Sequence, residues 1–442
     1  MKPNIFILTI DSFRADKFYG NTKTSKTPNI DKLIKKGTYF QKMIVSADAT
    51  DPSLGCIFTG KYPFTTGISL YENHQKASRL FDVLAFHGYS RHSIVPDKTF
   101  FKTLTKQFES QGIYPVDPYI LLDQGTGQQI IDKLSSGKMQ DPWVFYVHLM
   151  DLHPTGGKFV YSQMFDDEQY GVSEYEKAIS SIDIWIGKIL EKINLDNTIL
   201  ILSADHGDYI PVTGKRISEI KTTQNTFRKI KHLFPKLEPL GLKLFLFIQK
   251  LAVRFRRYKL EKTLDEYDLR TLGKRTDGGL YDEIISVPLL VAGGPVKGNQ
   301  TISQQVRSID IFPTILDLVN KTLEDKVDGQ SLFPLLDGKS SDASPVYIES
   351  ASIDPNTPGL MIGVRTSEYK YFRSRDRQNE KMFLFDLIHD PLEKTNIAST
   401  SPDLAQNMEK ILQNLLAKSS QQTKDSLRKI IAKKKANLSL QE

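Results

Sequence analysis

Asn4-Ile5-Phe6-Ile7-Leu8-Thr9-Ile10-Asp11, close to the start of the 442-residue chain, is the stretch from which the fold class follows. The run is short, apolar and rich in β-branched residues, so it reads as a buried strand ending at a carboxylate. Similar runs recur at Trp143–His148, Thr198–Ser203 and Val287–Ala292, the last followed by the turn Gly293-Gly294-Pro295. Helical patterns lie between them. Thr27-Pro28-Asn29 opens one through Lys36, with Thr27 as N-cap and Pro28 in the first helical position. Residues 172–193 carry another, with Ala178, Ile179, Ile182, Ile186, Ile189 and Leu190 on one face. Strands alternating with helices predict an α/β protein built on a mostly parallel sheet. From about residue 340 the texture changes to short strand-like pieces at Val346–Glu349, Met361–Arg365, Tyr369–Arg373 and Met382–Asp386, followed by a helical stretch over 403–436. A main unit over 1–340 and a small α+β subdomain over 341–442, with an antiparallel sheet and a terminal helix, are therefore expected.

Hydrophobic residues at 39% and charged residues at 25% fit an ordinary globular chain. A single cysteine, Cys56, excludes a disulfide framework and any multi-cysteine metal cluster. Residues 1–3 are Met-Lys-Pro and run straight into the first strand, and no apolar run approaches the ~20 residues that cross a bilayer. The expectation is a cytoplasmic protein beginning near Met1. Lys and Arg number 59 against 52 Asp and Glu, a net charge of +7. Residues 221–262 alone hold twelve basic residues against Glu238 and Glu261, a net +10, which leaves about −3 for the rest. The excess belongs to one insertion, so nucleic acid is not an expected partner.

Asp11 and Asp205-His206-Gly207-Asp208 each stand directly after a buried strand. Ligands of open α/β sheets bind at the carboxyl edge of the strands, so these side chains converge on one crevice. Carboxylates with an imidazole suit a divalent metal, although each is equally at home as an ordinary loop acid. Thr50-Asp51-Pro52-Ser53 opens a short helix that Gly60 closes. A helix N-terminus favours an anion, and a threonine there can attack phosphorus or sulfur if a metal lowers its hydroxyl pKa. The plainer reading makes Thr50 an N-cap.

Together these segments resemble the sulfatase branch of the alkaline phosphatase superfamily along nearly the whole chain. The matching residues are Asn4-Ile5, Ile10-Asp11-Ser12-Phe13-Arg14-Ala15-Asp16, Thr27-Pro28-Asn29-Ile30-Asp31 with Gly37 and Phe40, and Thr50, Pro52, Ser53, Thr59-Gly60, Tyr62-Pro63 and Gly67. His148, Asp151, His153-Pro154 and Asp205-His206-Gly207 continue the match, as do Leu280-Tyr281-Asp282-Glu283 and Val287-Pro288-Leu289. It closes with Asp310–Asp317, Asp328-Gly329, Ser331-Leu332, Tyr369-Lys370-Tyr371, Phe385-Asp386 and Asp390-Pro391. The resemblance implies an alkaline phosphatase-like central sheet flanked by helices, and a metal-dependent hydrolase or transferase of phosphate or sulfate esters.

The departures from that pattern bear on the chemistry. Sulfatases of the usual kind carry a formylglycine made from Cys or Ser at the head of Cys/Ser-x-Pro-x-Arg. Here Thr50 holds that position and Leu54 the arginine's. The paired aspartates after the first strand are Asp11-Ser12, the family's Lys-x-His falls on Pro96 and Lys98, and the lysine before the conserved tyrosine falls on Asp277, near Lys274 and Arg275. At the nucleophile the chain looks more like superfamily phosphodiesterases and phosphotransferases with an unmodified threonine. By that resemblance Asp11, Thr50, Asp205 and His206 bind one divalent cation (Mn, Mg, Ca or Zn), and Thr50 forms a covalent intermediate. His153 protonates the leaving group, and Lys98 and Lys274 contact the anion. His148 is equally readable as a core histidine, and Arg14 and Asp16 as structural. Two alternatives stand beside this: a sulfatase that works without formylglycine, and a degenerate member that binds a ligand or partner without turnover.

The insertion covers about residues 210–275. On a helix over 239–262, Lys243, Lys250, Arg254 and Arg257 share one face, while Leu244, Ile248, Leu251 and Phe255 share another. A basic amphipathic helix of this kind lies on an anionic membrane surface. Its place beside the metal-ligand segment predicts a lid, or a grip on a lipid-linked or polymeric anionic substrate. A helix packed on its own protein or on a second subunit gives the same pattern.

Overall fold

A computed structural model describes residues 2–116, 121–154, 159–211, 251, 254–255, 258–273, 279–322, 325–351, 360–376 and 382–418. Lys274 and most of the insertion, including residues 239–250, lie outside the described residues. So does the expected helix beyond residue 418; its described part, 402–418, is helical.

The main sheet has eight strands: β1 (Asn4–Ile10), β2 (Gly37–Ile44), β3 (Ser90–Pro96), β4 (Ser110–Tyr114), β5 (Trp143–Leu149), β6 (Thr198–Ser203), β7 (Ser286–Ala292) and β8 (Gln300–Arg307). Their order is β4-β3-β5-β1-β6-β7-β2-β8, and only β7 runs against the rest. Strands β1, β5 and β6 are buried along their whole length. β1 lies between the other two, with Thr9 opposite both His148 and Ser203. The register carries past the strand end, where the Asp11 amide donates to the Leu149 carbonyl at 2.8 Å. The carboxyl ends of three adjacent parallel strands thereby open at one level, and this positions the site.

The helix expected after Thr27 spans Pro28–Lys36, with Pro28 in its first turn. Thr27 does not cap it with its side chain. The buried Asp183 carboxylate, from the helix Glu174–Leu190, instead accepts the amides of Asn29 at 3.1 Å and Ile30 at 2.7 Å. The acceptor that satisfies this helix start thus comes from a neighbour across the packing face. A second sheet, β9 (Val346–Glu349), β10 (Met361–Arg365), β11 (Tyr369–Ser374) and β12 (Met382–Asp386), is antiparallel in the order β12-β11-β10-β9. Val346, Ile348, Phe372 and Phe385 pack into the same apolar core as the main sheet. Asp282, just before β7, pairs with Arg365 and Lys370 of the small sheet, each at 2.7 Å, and Lys370 also meets Glu393 at 2.6 Å. Among the described residues no helix is long and apolar enough to cross a membrane.

Candidate metal and nucleophile centre

Each side chain of the centre is delivered by the end of an element. Asp11 follows β1, Asp205 and His206 follow β6, and all three are buried. Thr50 is the first residue of the helix Thr50–Thr59, whose N-cap is Ala49. The N-cap reading of Thr50 is therefore corrected: its hydroxyl is not spent on its own helix. The anion-binding helix start is also narrower than expected. Pro52 has no N–H and the Ser53 amide donates to the Ala49 carbonyl at 3.1 Å, so Thr50 and Asp51 supply the outward amides. Ser53 Oγ donates to the Asp205 carbonyl at 2.5 Å and ties the helix to the β6 loop.

The Thr50 hydroxyl lies 3.4 Å from Asp11 Oδ2 and 3.3 Å from His206 Nε2. His206 Nδ1 is 2.8 Å from the Gly207 carbonyl, which only accepts, so the proton sits on Nδ1 and Nε2 presents its lone pair. That lone pair is 3.4 Å from Asp205 Oδ2. A buried lone pair facing buried carboxylate oxygens is repulsive unless a cation lies between them. The donors present therefore fit a divalent ion held by Asp11, Thr50, Asp205 and His206. Asp11, His148 and Asp205 also bring one donor atom each within 4.8 Å of one another.

Ser12, which stands where the family has a second aspartate, positions both carboxylates. Its Oγ donates to Asp11 Oδ1 at 2.6 Å and its amide to Asp205 Oδ1 at 3.2 Å. It does so from a left-handed conformation, φ 62°, which costs a serine about 1 kcal/mol or more. Burial pushes the Asp11 carboxyl up, but His148, whose Nε2 lies 3.9 Å from Asp11 Oδ2, and the charges of His206, His153 and Lys98 outweigh it and hold Asp11 well below the usual range. His153 and Lys98 therefore lie near enough for their charges to act on Asp11. Asp51 is raised to about 6, chiefly by burial, against His74 and Lys98. His74 Nε2 sits 3.3 Å from Asp51 Oδ2. Sequence reasoning passed over Asp51 and His74; the only signal was Asp51's place beside Thr50.

Leu54, in the position of the family's arginine, is fully buried in the apolar core. Pro96 ends β3 beside Tyr114, and Lys98 precedes the short helix Thr99–Leu104. Arg14 and Asp16 form a bidentate pair, both contacts 2.8 Å, in keeping with a structural role.

A family model described as Sulfatase matches residues 3–321, and one described as N-sulphoglucosamine sulphohydrolase, C-terminal, matches residues 270–422. Arylsulfatase K of Mus musculus is 22% identical over 474 residues, covering 94% of this chain and 79% of that protein. Among solved structures, a 2-O GAG sulfatase superposes with a TM-score of 0.67 at 17% identity, covering 95% of this chain and 93% of its own. A phosphonate monoester hydrolase of Agrobacterium radiobacter gives 0.64 at 14% identity, covering 95% and 96%. These structural likenesses support the fold alone.

Proposed function

The chain belongs to the sulfatase family, and from that premise we propose that it hydrolyses a phosphate or phosphonate ester, or transfers its phosphoryl group, through Thr50. Family members are metal-dependent hydrolases of sulfate or phosphonate esters. The observation that carries the reading is the Thr50 hydroxyl, 3.3–3.4 Å from the donor atoms of His206 and Asp11. Threonine cannot yield formylglycine, and the sulfate-binding arginine of the family motif is replaced by a buried leucine.

Asp11, Thr50, Asp205 and His206 would hold a divalent cation, which would lower the pKa of the threonine hydroxyl and offset the ester's charge. Thr50 Oγ1 loses its proton to solvent water and forms a bond to phosphorus as the bond to the leaving oxygen breaks. His153 gives that oxygen a proton; neutral afterwards, it takes one from water or an acceptor alcohol, whose oxygen displaces Thr50 from phosphorus. Ser12 holds Asp11 and Asp205 in place, and Lys98 contacts the anion from the β3 side. Lys274, outside the described residues, is a further anion contact in this reading. The named activity of the 2-O GAG sulfatase makes a polymeric ester one substrate class to include.

The test is turnover of phosphate monoester, diester, phosphonate and sulfate esters of one chromogenic alcohol, with added Mn, Mg, Ca or Zn. Metal-dependent phosphonate or diester cleavage that vanishes in Thr50→Ala is expected. Turnover of the sulfate ester alone would overturn the phosphorus half of the reading. No turnover and no bound metal would favour the non-catalytic binder.

A second reading concerns where the enzyme works. Leu251, Phe255 and Tyr258 stand out from the helical residues of the insertion, 51%, 61% and 55% exposed. Lys259 lies over the Phe255 ring at 5.0 Å and Lys262 over the Tyr258 ring at 4.5 Å. Exposed apolar residues flanked by cations support contact with an anionic lipid surface.

A further inference from the structure

His148 is the buried group that the mechanism leaves unused. It sits in β5, fully buried, its ring centroid 4.5 Å from that of Phe101. One ring nitrogen is held: Nδ1 lies 2.7 Å from Thr9 Oγ1. Nδ1 also lies 3.3 Å from the Tyr146 hydroxyl, so both polar contacts of the ring fall on Nδ1 and Nε2 is the nitrogen turned toward Asp11. Nε2 has no hydrogen-bond partner, and its nearest charged neighbour is Asp11 Oδ2 at 3.9 Å. That is too long for a hydrogen bond. A satisfied core histidine would spend both nitrogens, and leaving one buried and unpaired is costly. Two ligands each about 2.1 Å from one ion lie at most about 4.2 Å apart. The 3.9 Å gap to Asp11 Oδ2 is within that span, and an Asp205 oxygen lies no more than 4.8 Å from either, so the three donors need close by at most about 0.6 Å to share one ion.

We propose that His148 is a further ligand of the cation at the Asp11–Thr50–Asp205–His206 centre, and that its imidazole turns the site toward Mn or Zn and away from Mg and Ca. The inference rests on reading that cluster as the cation site. A set of two imidazoles, two carboxylates and one alkoxide is softer than the oxygen shells that Mg and Ca prefer. Thr9 acts as a positioning residue, holding Nδ1 and so the aim of the ring, as second partners of metal-bound histidines do.

The experiment is pulsed EPR of the full chain loaded with Mn(II), which counts bound imidazole nitrogens, beside dialysis affinities of wild type and His148→Asn for Mn, Zn and Ca. Two imidazoles in wild type, and a loss of at least about tenfold in Mn and Zn affinity with Ca unchanged in His148→Asn, are expected. One imidazole in wild type overturns the assignment even if the variant fails to fold. So does a variant that binds Mn as tightly as wild type. Absence of any bound Mn in wild type would overturn the cation site itself, a different failure.

Discussion

Ser12 shows how one residue can replace a lost ligand with a scaffold. A second aspartate would have added charge to the centre; serine gives Asp11 a hydrogen bond and Asp205 an amide. Ser12→Ala removes the first and is expected to lower metal affinity about tenfold, as loss of an outer partner does. Ser12→Gly relieves the left-handed strain while making the same cut, so it should bind metal as weakly as Ser12→Ala but melt no lower than it. Equal metal affinity in all three proteins by calorimetric titration would show that the hydroxyl does not position Asp11. Leu54 marks the opposite case. Restoring the family's arginine there puts a charge into packed core, so Leu54→Arg is expected to destabilise the fold by several kcal/mol, not to create a sulfate site. A stable Leu54→Arg protein in thermal melting would mean that the helix can turn this position toward the crevice.

At the scale of elements, the strands read from sequence are those that lie in the middle of the sheet. β1, β5, β6 and β7 are mostly apolar because neighbours cover them, and their composition sets them apart. The strands that were not read lie mostly toward the edges. β4 and β8 are the outermost strands; β4 is short with an exposed face, and β8 is polar at every residue of Gln300–Gln305 except Ile302. β3 ends in proline, and β2 carries Gln41 and Lys42 at a register shift. The same contrast governs the site. Asp11, Asp205 and His206 were legible because they follow strands that could be recognised. His148 was read as equally a core histidine, because the ligand role proposed for it depends on lateral register against Thr9, which pattern reasoning does not see. Gly207 belongs to this scale too: a Cβ there would meet the Glu283 carbonyl at 2.0 Å. Gly207→Ala is expected to displace the Asp205–His206 turn and remove metal binding, measured by elemental analysis of purified protein. Normal metal content would show that the turn yields. In the insertion, Leu251→Glu with Phe255→Glu should abolish co-sedimentation with phosphatidylserine vesicles while leaving ester turnover intact. Wild-type sedimentation in the double variant would dismiss the lipid surface.

Across the whole molecule, the two sheets are joined by charges that sequence motifs announced without explaining. Leu280-Tyr281-Asp282-Glu283 and Tyr369-Lys370-Tyr371 meet in the buried group Asp282, Arg365, Lys370 and Glu393. Lys370→Met leaves its acids uncompensated and is expected to cost about 3–5 kcal/mol in denaturant unfolding. Burial raises the Glu393 carboxyl to about 7, against the pull of Lys370, and burial raises Asp151 to about 7 as well. Both bind a proton more readily folded than unfolded, so stability should rise as pH falls from above 7 toward the ordinary carboxylate range. Asp11, Asp16 and Asp282, held low, reverse the trend only under more acidic conditions. A higher melting temperature at pH 5.5 than at pH 8.5 is expected, and a flat profile would count against the buried acids.

The central claim is that Thr50 forms a covalent bond to phosphorus. It is tested most directly by acid-quenching the metal-loaded enzyme during turnover of a chromogenic phosphonate monoester or phosphodiester and measuring intact and peptide mass. A mass gain equal to the transferred phosphorus group, on the peptide holding Thr50 and absent in Thr50→Ala, is the predicted result. Turnover with unmodified Thr50, or undiminished turnover in Thr50→Ala, would contradict it.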